Sequence, residues 1–352
     1  MSNLPKEHYF GAIMAPKVAE VHSEPLREMG PKDVMVKMLI CNICTTDYQV
    51  FDARRNRGFP IAAGHEWSGE VIAVGEEVTY FKEGDRVAAC GGGCGECIMC
   101  RMGRPQECYS SHWAPMVNGF KGARNFSNYQ VFKQSELIKM SSDLEPQFAA
   151  FLEPFSAGTG GWEKLKARPG DTVVVLGAGT MGLVNAQVYH ALGYRVIITE
   201  LTDKKLERAR SLGWAEVVNS REVDAVEEVK RLTDGLGADA VVPAVGLTKA
   251  YDQAYQMLKK HDGKYLLFAA GHPEPELAVD PNRVHYDRTE IIGAIGGSVE
   301  SIVLAAKLLN HKLVDASSSW EGVIYPLRDI QKAYEHACEL DTYRISVDLQ
   351  GV

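Results

Sequence analysis

The chain has 352 residues, 45% of them hydrophobic and 24% charged, and a formal net charge of -8. That length exceeds one comfortable core and predicts two domains, while the ordinary composition excludes long disorder. The acidic balance disfavours nucleic acid as a partner; with no apolar h-region in Met1 to Phe10 and no run of about 18 apolar residues, the expectation is a cytoplasmic protein without a membrane span.

In chain order, residues 11 to 40 read as short strands. Val34 to Ile40 is a β-rich run entered through a turn at Gly30-Pro31-Lys32-Asp33. It delivers Cys41-Asn42-Ile43-Cys44-Thr45-Thr46-Asp47 to a strand end. A cysteine with a hydroxyl two residues on suits a thiolate ligand, Cys44, beside a proton-relay hydroxyl, Thr46. A buried thiol and a capping threonine give the same pattern. The following loop, Phe51 to Pro60, carries Arg54, Arg55 and Arg57. Such a run is either a solvated face or an anion site near the substrate, because the guanidinium fork matches phosphate, sulfonate or carboxylate.

Ala63-Gly64-His65-Glu66 then sets an imidazole beside a carboxylate, ahead of an apolar run at Val71, Ile72 and Val74. Neutral imidazole is the commonest zinc ligand, and a neighbouring carboxylate can coordinate or orient it. Eight cysteines are present, and Cys94, Cys97, Cys100 and Cys108 crowd into one stretch spaced C-x2-C-x2-C-x7-C. Four thiolates in one lobe make a closed tetrahedral zinc site in a reducing compartment, with an iron-sulfur cluster or a redox pair as the competing readings. Cys90 lies outside the spacing and reads as a buried thiol. Phe148 to Leu152 reads as a short apolar helix ending on Glu153-Pro154, a surface turn unless Glu153 is a further zinc ligand.

The second half opens at the turn Arg168-Pro169-Gly170-Asp171. Thr172 to Leu176 is a continuous apolar run, as in a buried parallel strand, and it enters Gly177-Ala178-Gly179-Thr180-Met181-Gly182 and a helix from Leu183 to Leu192. The next strand, Arg195 to Glu200, ends in an acid 23 residues after Gly177. A G-x-G-x-x-G set between strand and helix, with that acid, is a dinucleotide fingerprint: Gly177, Gly179, Thr180, Met181 and Gly182 face the pyrophosphate, and Glu200 takes the ribose hydroxyls. The Glu200 carboxylate would repel a 2′-phosphate, so NAD is expected over NADP, with Lys205 and its neighbour Lys204 acting against that preference. Helices at 203–212, 223–234 and 248–259 alternate with strands at 216–218, 239–242, 264–269 and 290–294, which predicts a doubly wound sheet. Residues 298–352 hold an amphipathic helix and a closing strand, Tyr343 to Leu349, that returns to the first domain.

Taken together, the cysteine, the glycine-histidine-glutamate, the four-cysteine lobe, the glutamate-proline and the fingerprint stand in an order that resembles the zinc-dependent medium-chain alcohol dehydrogenases, in their sorbitol and threonine dehydrogenase-like branch. The resemblance covers roughly residues 11 to 350. It implies an α/β fold: a GroES-like β-rich catalytic domain (1–155 and 296–352, with the zinc lobe at about 90–110) plus a doubly wound Rossmann domain (156–295). It implies two zinc ions per chain. The catalytic one falls on Cys44, His65 and Glu153, with Glu66 direct or exchanging with water; the structural one falls on Cys94, Cys97, Cys100 and Cys108. Thr46 falls on the relay hydroxyl and Asp47 on the buried acid after it. The implied activity is NAD-dependent oxidation of a polyol or other secondary alcohol to a ketone, in a homodimer or homotetramer. An anionic or amino alcohol is the alternative substrate, and a non-enzymatic zinc and nucleotide-binding protein the remaining one. One departure is Gln49, where many relatives carry a titrating histidine.

Overall fold

The run Val34 to Ile40 is the middle of a strand, Asp33–Asn42, in a computed structural model that describes residues 4–110 and 116–352. Two compact units emerge. The first comprises Met1–Ser156, Ser298–Lys312 and Trp320–Val352, and the second Ala157–Gly297 and Leu313–Ser319.

The first unit is built on a seven-stranded sheet. Its order is Trp320–Pro326, Arg344–Asp348, Asp33–Asn42, Glu66–Val74, Arg86–Ala89 and Leu137–Lys139, with Tyr129–Lys133 also paired to Asp33–Asn42. A separate hairpin joins Glu7–Ala15 to Val18–Pro25. Asp33–Asn42 is central and buried on both faces, which its apolar run anticipates. Trp67 stacks on Phe132 with ring centroids 4.7 Å apart, fixing the start of the strand that follows His65. The helix Thr45–Phe51 is pinned by Phe51, which stacks on Tyr334 of the helix Ile330–Ala337 at 5.1 Å. Each such aromatic pair contributes about 0.5–1.5 kcal/mol beyond the area it buries.

The second unit holds a six-stranded parallel sheet in the order Glu216–Asn219, Arg195–Glu200, Thr172–Leu176, Ala240–Pro243, Lys264–Leu267 and Glu290–Gly293. That is the doubly wound order in which the chain reverses direction beside its first strand. Val173, Val174 and Val175 are fully buried, as a β-branched run between two helical layers must be. The segment Leu313–Ser319 clusters here because Gln187 clamps it: the Asp315 N–H donates to Gln187 Oε1 at 2.6 Å, and Gln187 Nε2 donates to Ser318 Oγ at 2.9 Å.

Two expectations need correction. Glu153-Pro154 does not end a helix. Pro146–Ala149 is one short helix, and Leu152–Leu165 is a second that begins at this dipeptide. Proline is tolerated there because amides of a first turn have no intrahelical partner to lose. A further helix, Pro281–Asp287, stands where no helix is expected; Asp280 caps it by accepting from the Asn282 N–H, and Pro281 opens it.

Candidate metal and dinucleotide sites

Cys44 is the residue at which the strand Asp33–Asn42 gives way to the helix Thr45–Phe51. Its backbone is extended, and its N–H donates to Asp47 Oδ2 at 3.1 Å, so the acid at the helix's third position closes the turn. His65 is delivered by Gly64, whose φ of +98° lies in the left-handed region; a Cβ there would stand 2.9 Å from the Phe126 backbone nitrogen. Asn125 Nδ2 holds the Gly64 carbonyl at 3.1 Å. Cys44, His65 and Glu66 offer ligand atoms that all lie within 4.8 Å of one another. Glu153 is outside that tight set, but its charge acts on His65.

Below this cluster lies Arg344, a residue that the sequence reading does not select. Its Nε donates to both carboxylate oxygens of Glu66, at 3.1 and 2.8 Å, and its Nη2 donates to Oε1 at 2.8 Å. Nη2 also reaches Cys44 Sγ at 3.4 Å, and Nη1 reaches Thr45 Oγ1 at 3.3 Å. The sheet explains the meeting. Asn42 is opposite Glu66 on one side and Ser346 on the other, and Arg344 shares the Ser346 face two residues back. Arg344 and Glu66 are both buried, so the pair is a desolvated one. The available signal was a cation among the alternating residues of Tyr343 to Leu349, where Asp348 is the other charge.

The electrostatics follow from crowding. Burial pushes the Cys44 thiol up, against the pull of Arg344. Burial also raises Asp47 and Glu153, and in both cases His65 opposes it. Burial alone would lower His65, but Asp47, Cys44 and Glu153 together hold it well above its usual value. Asp47 Oδ1 is 3.6 Å from His65 Nδ1. So many acidic groups around one imidazole and one guanidinium suit a cation among them, and thiolate, imidazole and carboxylate are donors that zinc takes. Cys44, His65 and Glu153 are each half-buried, so such a set keeps one side open.

The arginine loop divides. Arg55 Nη1 lies 3.4 Å from Thr46 Oγ1. Arg57 is near enough to Asp47 and Cys44 to feel their charge. Arg54 turns away: its Nε donates to Asp52 at 2.5 Å, and its guanidinium lies over the Tyr48 ring.

The thiolate lobe is formed by the short helix Ile98–Arg101 and a turn at Pro105–Glu107. Its sulfurs lie 3.9 Å (Cys94–Cys100), 3.6 Å (Cys97–Cys100) and 3.7 Å (Cys97–Cys108) apart. A zinc tetrahedron with Zn–S bonds near 2.3 Å has edges of about 3.8 Å, so the four fit the ion. The Cys97 N–H donates to Cys94 Sγ at 3.2 Å and the Cys94 N–H to Cys108 Sγ at 3.3 Å, as thiolates require. Backbone N–H groups hold the Cys97 thiol down to about 6. Cys90 is buried away from the set, and burial raises its thiol.

In the second unit, Gly179 precedes the helix Thr180–Ala191 with no side-chain cap. A Cβ on Gly177 would strike Val245 at 2.4 Å, and one on Gly182 would strike the Gly177 carbonyl at 1.9 Å. A Cβ on Gly179 would meet nothing. Two of the glycines therefore serve packing, and the third faces open space where a pyrophosphate can approach the amides. Thr180 and Met181 form the first helical turn. Glu200 ends its strand with Oε2 taking the Ala178 N–H at 2.7 Å and Oε1 taking those of Leu201 and Thr202 at 2.6 and 2.9 Å. Lys205 lies on the next helix, Asp203–Arg210.

Comparison with known proteins agrees with this architecture. The family described as alcohol dehydrogenase GroES-like domain matches residues 30–142, and that described as zinc-binding dehydrogenase matches residues 180–311. A sorbitol dehydrogenase of Halalkalibacterium halodurans is 32% identical over 89% of this chain and 91% of its own. An L-threonine 3-dehydrogenase of Shewanella sp. (strain MR-7) is 30% identical over 93% of this chain and 91% of its own. The crystal structure of benzyl alcohol dehydrogenase from Acinetobacter calcoaceticus superposes with a TM-score of 0.86 at 22% identity, covering 98% of this chain and 100% of that one.

Proposed function

The chain belongs to the zinc-dependent medium-chain alcohol dehydrogenases, and from that membership we propose that it oxidises a secondary alcohol of the polyol type with NAD as hydride acceptor. The observation that carries this reading is the half-buried Cys44–His65 pair, with Thr46 two residues on from Cys44, in a chain that also has a dinucleotide fingerprint. Zinc held by Cys44, His65 and Glu153 would supply Lewis acidity toward the substrate oxygen, and the dinucleotide the hydride acceptor.

The protein's own groups do the rest. Asp47 Oδ1 stands 3.6 Å from Nδ1 of His65 and would help orient the ring, leaving its other nitrogen available to a metal. Thr46 Oγ1 accepts the hydroxyl proton of the alcohol. Gln49 cannot titrate, so the proton that Thr46 passes on leaves by water or by another base. Glu66 acts from behind: leaving Arg344 would break three hydrogen bonds in a buried setting, which favours a supporting role over direct ligation. The Cys94, Cys97, Cys100 and Cys108 lobe would hold a second, structural zinc.

Glu200 supports NAD over NADP, because a carboxylate fixed by three backbone amides meets a ribose diol well and a 2′-phosphate badly. No helix among the described residues is long and apolar enough to cross a membrane. The family resemblance further implies a homodimer or homotetramer, which light scattering measures.

The test is a panel of sugar alcohols, butanediols and L-threonine offered to the zinc-loaded protein with NAD⁺ or NADP⁺, followed by the absorbance of the reduced cofactor. Turnover of a secondary alcohol with higher kcat/KM for NAD⁺ is expected. Absence of turnover across the panel overturns the enzyme reading, and a preference for NADP⁺ overturns the role of Glu200.

A further inference from the structure

The loop between Cys44 and His65 carries three arginines, of which one is in an ion pair among the described residues. Arg54 is paired with Asp52. Among the described residues, neither Arg55 nor Arg57 has a carboxylate within ion-pair distance. Arg55 is held by its backbone, whose N–H donates to the Gln49 carbonyl at 2.9 Å, and its guanidinium lies against Thr46 Oγ1. Arg57 is close enough to Arg55 for the two charges to oppose each other.

A third cation enters from a different segment. Lys121, on the strand Phe120–Lys121, donates from Nζ to the Arg57 carbonyl at 3.4 Å, and Nζ stands 3.1 Å from where a Gly58 Cβ would be. Its backbone is tied to the same stretch: the Lys121 N–H donates to the Pro60 carbonyl at 3.1 Å, and the Ala62 N–H donates to the Lys121 carbonyl at 2.7 Å. Lys121 likewise has no carboxylate partner among the described residues. Asp47 and Cys44 draw on Arg57 without an ion-pair contact, and two planar forks with an ammonium along one stretch are groups that suit a tetrahedral oxyanion.

We propose that Arg55, Arg57 and Lys121 bind the phosphate of a phosphorylated secondary alcohol and hold its hydroxyl-bearing carbon toward Thr46. This rests on the dehydrogenase reading above and narrows its substrate class. A phosphate dianion answers three cations; a neutral polyol brings no charge to them, and an amino alcohol such as threonine brings one carboxylate offset by its own ammonium.

The experiment has two readouts. The first is kcat/KM for sorbitol, sorbitol 6-phosphate, glycerol 1-phosphate and L-threonine. The second is calorimetric binding of inorganic phosphate. Both use the zinc-loaded wild type, Arg57→Ala, Lys121→Ala and Arg57→Lys, with circular dichroism as a check on folding. The wild type is expected to prefer a phosphate ester over sorbitol and to bind phosphate. In Arg57→Ala and Lys121→Ala that preference and the phosphate affinity should each fall by about tenfold, with Arg57→Lys retaining part of both. Added salt should raise KM for the esters and leave that for sorbitol. Turnover of sorbitol with phosphate binding absent, or equal in all four proteins, overturns the anion site and leaves the dehydrogenase. Phosphate binding lost in the variants, with no alcohol oxidised, overturns the dehydrogenase and leaves the anion site.

Discussion

Arg344 decides what Glu66 is able to do. A histidine–glutamate pair in sequence suggests two ligands, but the carboxylate is held by a guanidinium with which it is buried. Removing one member of such a pair strands the other charge. Arg344→Leu is therefore expected to cost about 3–5 kcal/mol in urea unfolding, while Arg344→Leu combined with Glu66→Leu should recover much of that loss. Equal stability of the single variant and the wild type would mean that the pair is already solvated. Arg54, Arg55 and Arg57 make the same point: adjacent residues of one type point to different partners once the loop is folded.

At the scale of elements, the fingerprint loop and the entrance to the central strand each allow a separation of roles. Gly182→Ala drives a methyl into the Gly177 carbonyl and should cost about 1–3 kcal/mol. Gly179→Ala meets no atom, so its melting temperature should match that of the wild type while its dinucleotide affinity falls. Thermal melts and cofactor fluorescence titrations distinguish the two, and parallel losses in both variants would contradict the assignment. At the strand entrance, Asp33 takes hydrogen bonds from Arg27 and from the Gly30 N–H. The Arg27 bond holds its carboxyl below the usual 3.8. A lowered folded value means that the contribution is present above the unfolded pKa and is lost as pH falls through the folded one. Asp33→Asn should be less stable than wild type by about 0.5–1 kcal/mol near neutrality, since Arg27 is half-exposed, and the gap should close in acid below the usual carboxylate value. A gap that persists unchanged at low pH would assign the loss to something other than the carboxylate's charge.

For the whole molecule, the two donor sets should behave as sites of different kinds. The wild type is expected to hold two zinc ions per chain, one for each cluster. Cys44→Ser should lower the zinc content toward one and abolish turnover while the fold persists. Cys97→Ser should lower stability, because a closed thiolate site contributes to folding itself. Elemental analysis beside circular dichroism and activity checks this. Full turnover by metal-depleted Cys44→Ser would remove the catalytic-zinc reading altogether.

Several features are legible in the sequence because their causes are local. Thr172–Leu176 and Arg195–Glu200 have the bounds expected for them, since each carries an apolar core (Val173 to Leu176, Val196 to Ile198) that a strand buried on both faces requires. The C-x2-C-x2-C-x7-C lobe is equally local, for four thiolates within one short stretch have few ways to avoid a common centre. What only the tertiary structure decided is which distant groups meet. Arg344 and Glu66 are 278 residues apart and touch because one strand lies between theirs in the sheet. Lys121 reaches the arginine loop through pairing near Pro60, and Glu153 lies in the first turn of a helix where the apolar run before it predicts a helix end. Periodicity reports the face on which a side chain lies; strand order and packing choose its partner, and no local pattern encodes that choice.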